Sequence, residues 1–174
     1  QTSKNPKTMS SSQPDTRIIT LTTADDAVFH VSETVAMEMK IVKSFLEDNS
    51  EATESIPLPN VLSGPFSRII EYVTHHLEFR DKSAKKEEIR SFDEGFLKGV
   101  SNDDLKELVV AANYLEIKEL LDMLNQTVAD RIKNKSVEYV RKFFGIESDF
   151  TEEEEAKIRE EHAWAFEGVD PDDD

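Results

Sequence analysis

The histidines and carboxylates are the side chains in this sequence with the widest range of chemistry open to them. His75 and His76 are adjacent, which invites a metal reading. Neighbours on a helix point about 100° apart, however, and do not share a face as the i,i+4 histidines of an HExxH motif do. His30 falls in a strand-like run and His162 near the end of the last helical stretch, and neither has a nucleophile beside it in sequence. The closing "DPDDD" lacks the glycine, the alternation and the terminal glutamate of a calcium loop, so a solvated tail is the better account. No GxGxxG, GxxxxGK[ST] or GxSxG occurs, and five glycines leave little material for a phosphate cradle. With 37 acidic residues, paired carboxylates carry no information about acid–base work. The chain has no cysteine, which excludes a thioester intermediate, a disulfide and a cysteine-ligated zinc site. No catalytic residue, metal ligand or cofactor is expected.

The remaining chemistry is recognition. The stretch "RKFFGIESDFTEEEEAKIREEHAWAF" spends Phe143, Phe144, Ile146, Phe150, Trp164 and Phe166 in an acidic context with little around it to bury them. Either these residues make a small terminal core or they form a surface that receives a partner. Trp164 closes a strongly charged segment, and aromatic residues so placed are favoured as interface anchors. Val128 and Ile132 lie on an ordinary amphipathic stripe, for which internal packing is the commoner role.

Composition limits the partners. A formal charge of −16 repels phosphate backbones and anionic membranes, so neither nucleic acid nor a membrane is expected as a partner. The 174 residues suit one domain plus an extension. No apolar run reaches the length of a spanning helix and no signal peptide is evident, which makes cytoplasm or nucleus the default location. Residues 1–16 are polar and without periodicity and read as a disordered leader, with Met9 a candidate natural start.

Elements must position those aromatics. "RIITLTTADDAVFHV" reads as a β-hairpin turning at "ADD". Ser32 caps a helix with Glu33 in its first turn and Val35, Met39, Val42 and Leu46 on one face. "EDNSEATES" reads as a loop, and in "IPLPNV" the prolines leave Leu58 extended in an edge strand. After Ser63 and Gly64 a second helix carries Phe66, Ile69, Ile70 and Val73 and ends near Leu77. "RDKSAKKEEIR" lacks a stripe and reads as an exposed loop or frayed helix; "FDEGFLKG" reads as a short helical turn closed by Gly99. Ser101 with Asp104 opens a helix bearing Leu105, Leu108, Val109 and Ala112. Another follows with Ile117, Leu120, Leu121, Leu124, Val128 and Ile132 on one face. "SVEYVRKFFG" starts at a Ser136 cap and stops at Gly145. Thr151 and Glu154 form a capping box for the last helix, in which Glu155 and Arg159 make an i,i+4 pair. The segment from Glu167 reads as a disordered acidic tail.

Taken in order, "ITLTTADDAVFHV", "IPLPNV", "FDEGFLK", "LVVAANYLEIKELLD", "QTVADRIKNKS" and "FGIESDFTEEEEAKIREEHAW" resemble the S-phase kinase-associated adaptor family. Its members link F-box proteins to a cullin, and the similarity spans Ile18 to Phe166. The resemblance implies an α+β fold: a BTB/POZ-type domain, a small sheet flanked by helices, over residues 17–124, then a helical extension over 125–166 that receives the F-box, with 167–174 as tail. It implies a non-catalytic adaptor of an SCF-type ubiquitin ligase, with F-box proteins and a cullin as partners and a RING subunit reached indirectly. Phe144, Ile146 and Trp164 match the family's F-box-binding positions, with Val128 and Ile132 as the floor of that groove. Asn113 and Tyr114 match positions facing the cullin, although an Asn near a helix end also commonly serves only as a cap.

The sequence departs from the family pattern at several points, and these suggest a divergent paralogue. Lys106 stands where a bulky aromatic touching the F-box is expected, and a charge there narrows the receptors accepted. Phe143 replaces a small polar residue and Tyr139 an acidic one, which implies added apolar surface. Phe92 replaces a tryptophan. The segment between Glu78 and Ser91 is shorter and more basic than the family's acidic insertion, and Glu152 stands where some members carry proline. Function resides in sites rather than folds. A scaffold outside ubiquitin ligases, self-associating weakly through the same apolar surface, is therefore the competing expectation. A BTB-type transcriptional or channel adaptor is disfavoured by the helical C-terminal third.

Overall fold

A computed structural model describes residues 17–49 and 55–172. The expected leader, residues 1–16, and the middle of the "EDNSEATES" loop lie outside the described residues. Strands β1 (Ile18–Thr23) and β2 (Val28–Ser32) form the expected antiparallel hairpin, with Leu21 opposite Phe29 and Ile19 opposite Val31. Strand β3 (Ile56–Leu58) pairs parallel to β1, so the sheet order is β2-β1-β3 and the proline-bearing strand is at an edge. Pro57 removes a donor there without breaking an interior ladder. Strand alternation sends Ile19, Leu21, Val31, Ile56 and Leu58 to one buried face.

The "ADD" turn does more than reverse the chain. Asp25 accepts from the Ser63 N–H at 3.0 Å, from the Ser63 hydroxyl at 2.5 Å and from the Thr23 hydroxyl at 2.6 Å. It thereby supplies the first turn of helix α3 (Ser63–Asp81) with an acceptor that Leu62, at the N-cap, lacks. Those hydroxyl bonds hold the Asp25 carboxyl down at about 2, below its ordinary value of 3.8.

The helix expected from Ser32 onward is two helices. Ser32 caps α1 (Glu33–Ala36), accepting from the Val35 N–H, and the chain then bends before α2 (Lys40–Asp48). At the bend Met39 is extended, with φ −92° and ψ 103°, and fully buried. The stripe Val35, Met39, Val42 and Leu46 is buried as expected. Helical spacing of apolar residues does not reveal such a bend, because both halves still face the core.

Helix α3 runs a turn beyond its expected end, and of the two alternatives for the charged run after it the helical one holds from Lys86: α4 spans Lys86–Leu97 and takes in the helical turn expected at "FDEGFLKG". The Glu88 carboxylate accepts from the Lys85 N–H at the start of α4, and the turn between the helices places Ser83 at φ 49°. The sequence shows this helix only in part because Phe96 alone is buried on it, with Phe92 and Leu97 packed against the core edge. Its contact with α3 is aromatic: Phe96 lies 5.4 Å from Tyr72 and Phe92 4.6 Å from His75, ring centre to ring centre.

Helices α5 (Asn102–Tyr114) and α6 (Lys118–Ile132) start and stop as the pattern predicts. Ser101 accepts from the Asp104 N–H, and Glu116 makes the corner at φ 54°. Leu105, Leu108, Ala112, Leu120 and Leu124 fill the centre of the molecule. The C-terminal half of α6 leaves that centre, so Val128 and Ile132 are only partly buried. Since α6 is continuous from Lys118 to Ile132, the expected boundary after Leu124 falls inside a helix. No helix among the described residues is long and apolar enough to cross a membrane.

Candidate functional site

The adjacent histidines have structural roles at the α3–α4 joint. His76 Nε2 is 2.8 Å from an Asp93 carboxylate oxygen and stacks on Tyr72 at 4.0 Å, while His75 packs on Phe92. A cleft of about 500 Å³ opens beside them, lined by Tyr72, His76, Arg80, Ile117 and Glu119 among others. Burial, with the nearby carboxylates of Asp93 and Glu119, pushes the Tyr72 phenol well above its ordinary range, which keeps it protonated. Arg80 is paired with Glu38 at 2.8 Å. Among the described residues no group of three or more His, Asp or Glu side chains is arranged to hold a metal ion.

The apolar residues of the C-terminal stretch divide into two sets. Helix α7 (Val137–Phe144) begins at Ser136, whose hydroxyl accepts from the Tyr139 N–H. Gly145 ends it in the left-handed region at φ 66°, and the Ile146 N–H returns to the Arg141 carbonyl at 2.8 Å, a Schellman-type stop. Tyr139 and Phe143 point inward and join the core, Phe143 being only 3% exposed. The added apolar surface expected from these two substitutions is therefore absent: they pack internally. Phe144, turned outward by the helical step, is 44% exposed, and beyond Gly145 Ile146 is 58% exposed. Phe144 rests edge-on against Phe143, with centroids 4.9 Å apart, so an outward ring is backed by an inward one.

Helix α8 (Glu152–Glu161) carries the expected capping box, with Thr151 and Glu154 bonded reciprocally. No residue of α8 is buried. The expected Glu155–Arg159 pair does not form; both side chains reach across to α7 instead. Glu155 accepts from the Ser148 hydroxyl at 2.6 Å and from Arg141 at 2.7 Å, bonds that hold its carboxyl below the usual range, and Arg159 pairs with Glu138. Links to a neighbouring helix fix an orientation, whereas an i,i+4 pair within α8 would fix none. Arg159 also lies over the Phe166 ring at 5.1 Å, which ties the 3-10 turn Ala163–Phe166 to the same cation. On that turn Trp164 is 75% exposed, the most open large apolar side chain of the described residues.

The segment expected as a disordered tail folds back. The Asp170 N–H donates to the Asn134 carbonyl at 2.8 Å, and Lys135 reaches the Pro171 carbonyl. Asp172 accepts from the Ser136 N–H at 3.2 Å and from the Ser136 hydroxyl at 2.5 Å, at the start of α7. These bonds depress the Asp172 carboxyl below its ordinary value, Ser136 being the main cause. Sequence reasoning also missed Arg131, which donates to Asn102 Oδ1 and to the Val100 carbonyl, each at 2.7 Å, and so locks α6 to the start of α5. No sequence pattern marks an arginine as reaching a carbonyl some thirty residues away.

At the other end of α5, Asn113 is exposed and Tyr114 half-buried. The helix is closed by Leu115 and the left-handed Glu116, so Asn113 is not its cap. Lys40 pairs with Glu116 at 2.5 Å beside this corner.

Comparison with known proteins gives the arrangement its relatives. Residues 17–78 match the family model described as Skp1 family, tetramerisation domain, and residues 118–165 match the one described as Skp1 family, dimerisation domain. SKP1-like protein 14 of Arabidopsis thaliana is 45% identical over 149 residues, covering 86% of this chain and 97% of that protein. SKP1-like protein 20 of Oryza sativa subsp. japonica is 42% identical over 168 residues, covering 86% and 95%. An E3 ubiquitin ligase complex SCF subunit, sconC of Talaromyces marneffei, is 41% identical over 154 residues, covering 84% and 96%. The three-stranded sheet with its helices is the POZ-type part of an α+β fold, the later helices are its C-terminal extension, and the chain belongs to the Skp1 family.

Proposed function

We propose that this chain is a non-catalytic adaptor of an SCF-type ubiquitin ligase, seating an F-box segment on its C-terminal helices and joining it to a cullin through the end of α5. The observation that carries this reading is Trp164, three-quarters exposed on the turn that follows α8, in a chain of this family; α8 is paired to α7 through Glu155 and Arg159, and Arg159 also lies over Phe166 of that turn. A large, open aromatic with few rotatable bonds loses little conformational freedom on binding and gains the burial of its ring. Phe144 and Ile146 supply further open apolar surface, and Val128 and Ile132, partly buried on α6, are the proposed floor. Asn113 and Tyr114 are the proposed cullin contacts, and a RING subunit is reached only through the cullin.

Titration of the full chain with a panel of F-box segments tests this. Stoichiometric binding is expected, with Trp164→Ala weakening it about thirtyfold, the usual cost of truncating a central aromatic anchor. Asn113→Ala with Tyr114→Ala is expected to reduce capture of a cullin N-terminal segment without touching the F-box affinity. Absence of binding across a broad panel would overturn the proposal.

One observation favours a second use of the surface: the family model over residues 118–165 is described as a dimerisation domain. Light scattering across a concentration series separates the two uses, since dimers dissolved by an F-box segment share its seat.

A further inference from the structure

Beyond the buried stripe of α5, Lys106 stands between two apolar surfaces. On one side lies a shallow groove of about 210 Å³, formed by Asn60, Leu62, Pro65, Val110 and Ala111 with Lys106 and Glu107 at its rim. Leu62 and Val110 leave 45% and 58% of their surface open there. On the other side the ammonium is 5.9 Å from the centre of the Phe143 ring, the same ring that backs Phe144. Lys106 thus meets the open groove on one hand and, on the other, the buried Phe143 ring that backs the exposed Phe144.

Lys106 has only a weak hold within the chain. Its Nζ is 2.8 Å from Asp103 one turn earlier, and that carboxylate is 88% exposed. An exposed i,i+3 pair contributes little to stability, so exchanging it for another partner costs little. An ammonium has three donors, and Asp103 uses one.

We propose that Lys106 is a specificity point: it selects partner helices in which an Asp or Glu is flanked by apolar side chains, one entering the Leu62–Val110 groove and the other resting on Phe144. The inference rests on the F-box reading above and names the chemistry of the partner. An apolar side chain laid over Lys106 would strip water from an ammonium and leave it short of acceptors. A basic one would meet a like charge. A carboxylate completes the donors as water leaves, and the Phe143 face adds its own attraction for the cation. The net charge of −16 disfavours acidic residues on average, so an acid on the partner gains where it meets a cation such as Lys106. Glu107 on the groove's rim sharpens this, since it opposes a second acid one step away.

Double-mutant cycles provide the test. In an F-box segment that binds the full chain, each Asp and Glu is changed in turn to its amide and measured against wild type and Lys106→Met. One acidic position is expected to lose about tenfold in affinity on wild type and almost nothing on Lys106→Met, with the coupling shrinking as salt is raised. Val110→Asp is expected to weaken the same segment. If every acid is additive with Lys106→Met while Trp164→Ala still weakens binding about thirtyfold, the inference fails and the F-box reading stands. If Val110→Asp weakens a cullin segment and leaves the F-box segment unaffected, the groove belongs to the cullin and the two-sided seat is overturned. If no F-box segment binds at all, the inference and the reading fall together.

Discussion

Two neighbouring phenylalanines show how much a single helical step decides. Phe143 is buried against Tyr139 and the core, whereas Phe144 opens outward. Phe143→Ala is expected to destabilise the chain by about 3–5 kcal/mol in denaturant unfolding, as for other buried aromatics. Trp164→Ala should change stability by no more than about 0.5 kcal/mol, because a side chain so exposed contributes little to the fold. That contrast, measured with the same denaturant, separates a packing residue from an exposed one that is free to serve the proposed recognition. Asp25 makes a different prediction. Its folded pKa of about 2 lies below the unfolded value of 3.8, so its stabilisation is complete above about pH 4 and disappears as pH falls towards 2. The stability gap between wild type and Asp25→Ala is expected to be constant near neutrality and to close across that window. A gap that persists at pH 2 would show that the carboxylate's charge is not what holds the turn to α3.

At the scale of elements, α8 is the exception to how this molecule is built. Every other α-helix among the described residues buries at least one side chain, yet α8 buries none and is held to α7 by Arg141–Glu155 and Arg159–Glu138, with the tail beyond it bonded to Ser136. Polar links of this exposure are individually weak and are screened by salt. Amide exchange in Glu152–Glu161 is therefore expected to accelerate between low and high ionic strength while α5 stays protected. Asp172→Ala should accelerate it further, since the strap to Ser136 is lost; unchanged exchange in that variant would mean the strap holds nothing. Gly145 sets the other boundary. With φ at 66° and open space around its Cα, Gly145→Ala costs only the left-handed backbone conformation, about 1–2 kcal/mol, with no clash.

Across the whole molecule, the buried residues form one cluster from Ile19 on the sheet to Phe143 on α7. The POZ-type part and the start of the C-terminal extension thus share a core through α6. Leu124→Ala, at a fully buried site in that helix, is expected to cost about 2–5 kcal/mol. It should also raise the exchange of α5 and α7 together, leaving α8 as it was. Protection lost in α6 and α7 alone would show that the two parts open independently. This architecture also suits the proposed adaptor role: a continuous core joins the elements that carry the proposed contacts at Asn113 and Phe144.

Much of this was already legible in the chain itself. The hairpin, the caps at Ser32, Ser101, Ser136 and Thr151, the stop at Gly145 and the stripes of α3, α5 and α6 all follow from local rules: hydroxyl side chains satisfy the first N–H groups of a helix, and apolar residues recur with its period. The ordered phrases from Ile18 to Phe166 were enough to point to the family. What local rules do not contain is direction in space. Whether Phe143 or Phe144 turns inward, whether Glu155 meets Arg159 or Arg141, where the stripe from Val35 to Leu46 bends, and where the acidic tail goes all depend on which surfaces other segments bring near. Helix α4 was legible only in its second half for the same reason: its charged first half has no stripe to tell a helix from a loop, and the packing that joins the halves comes from α3. Sequence spacing fixes the phase of a helix about its own axis, but only packing against distant residues fixes which side of that axis is the interior.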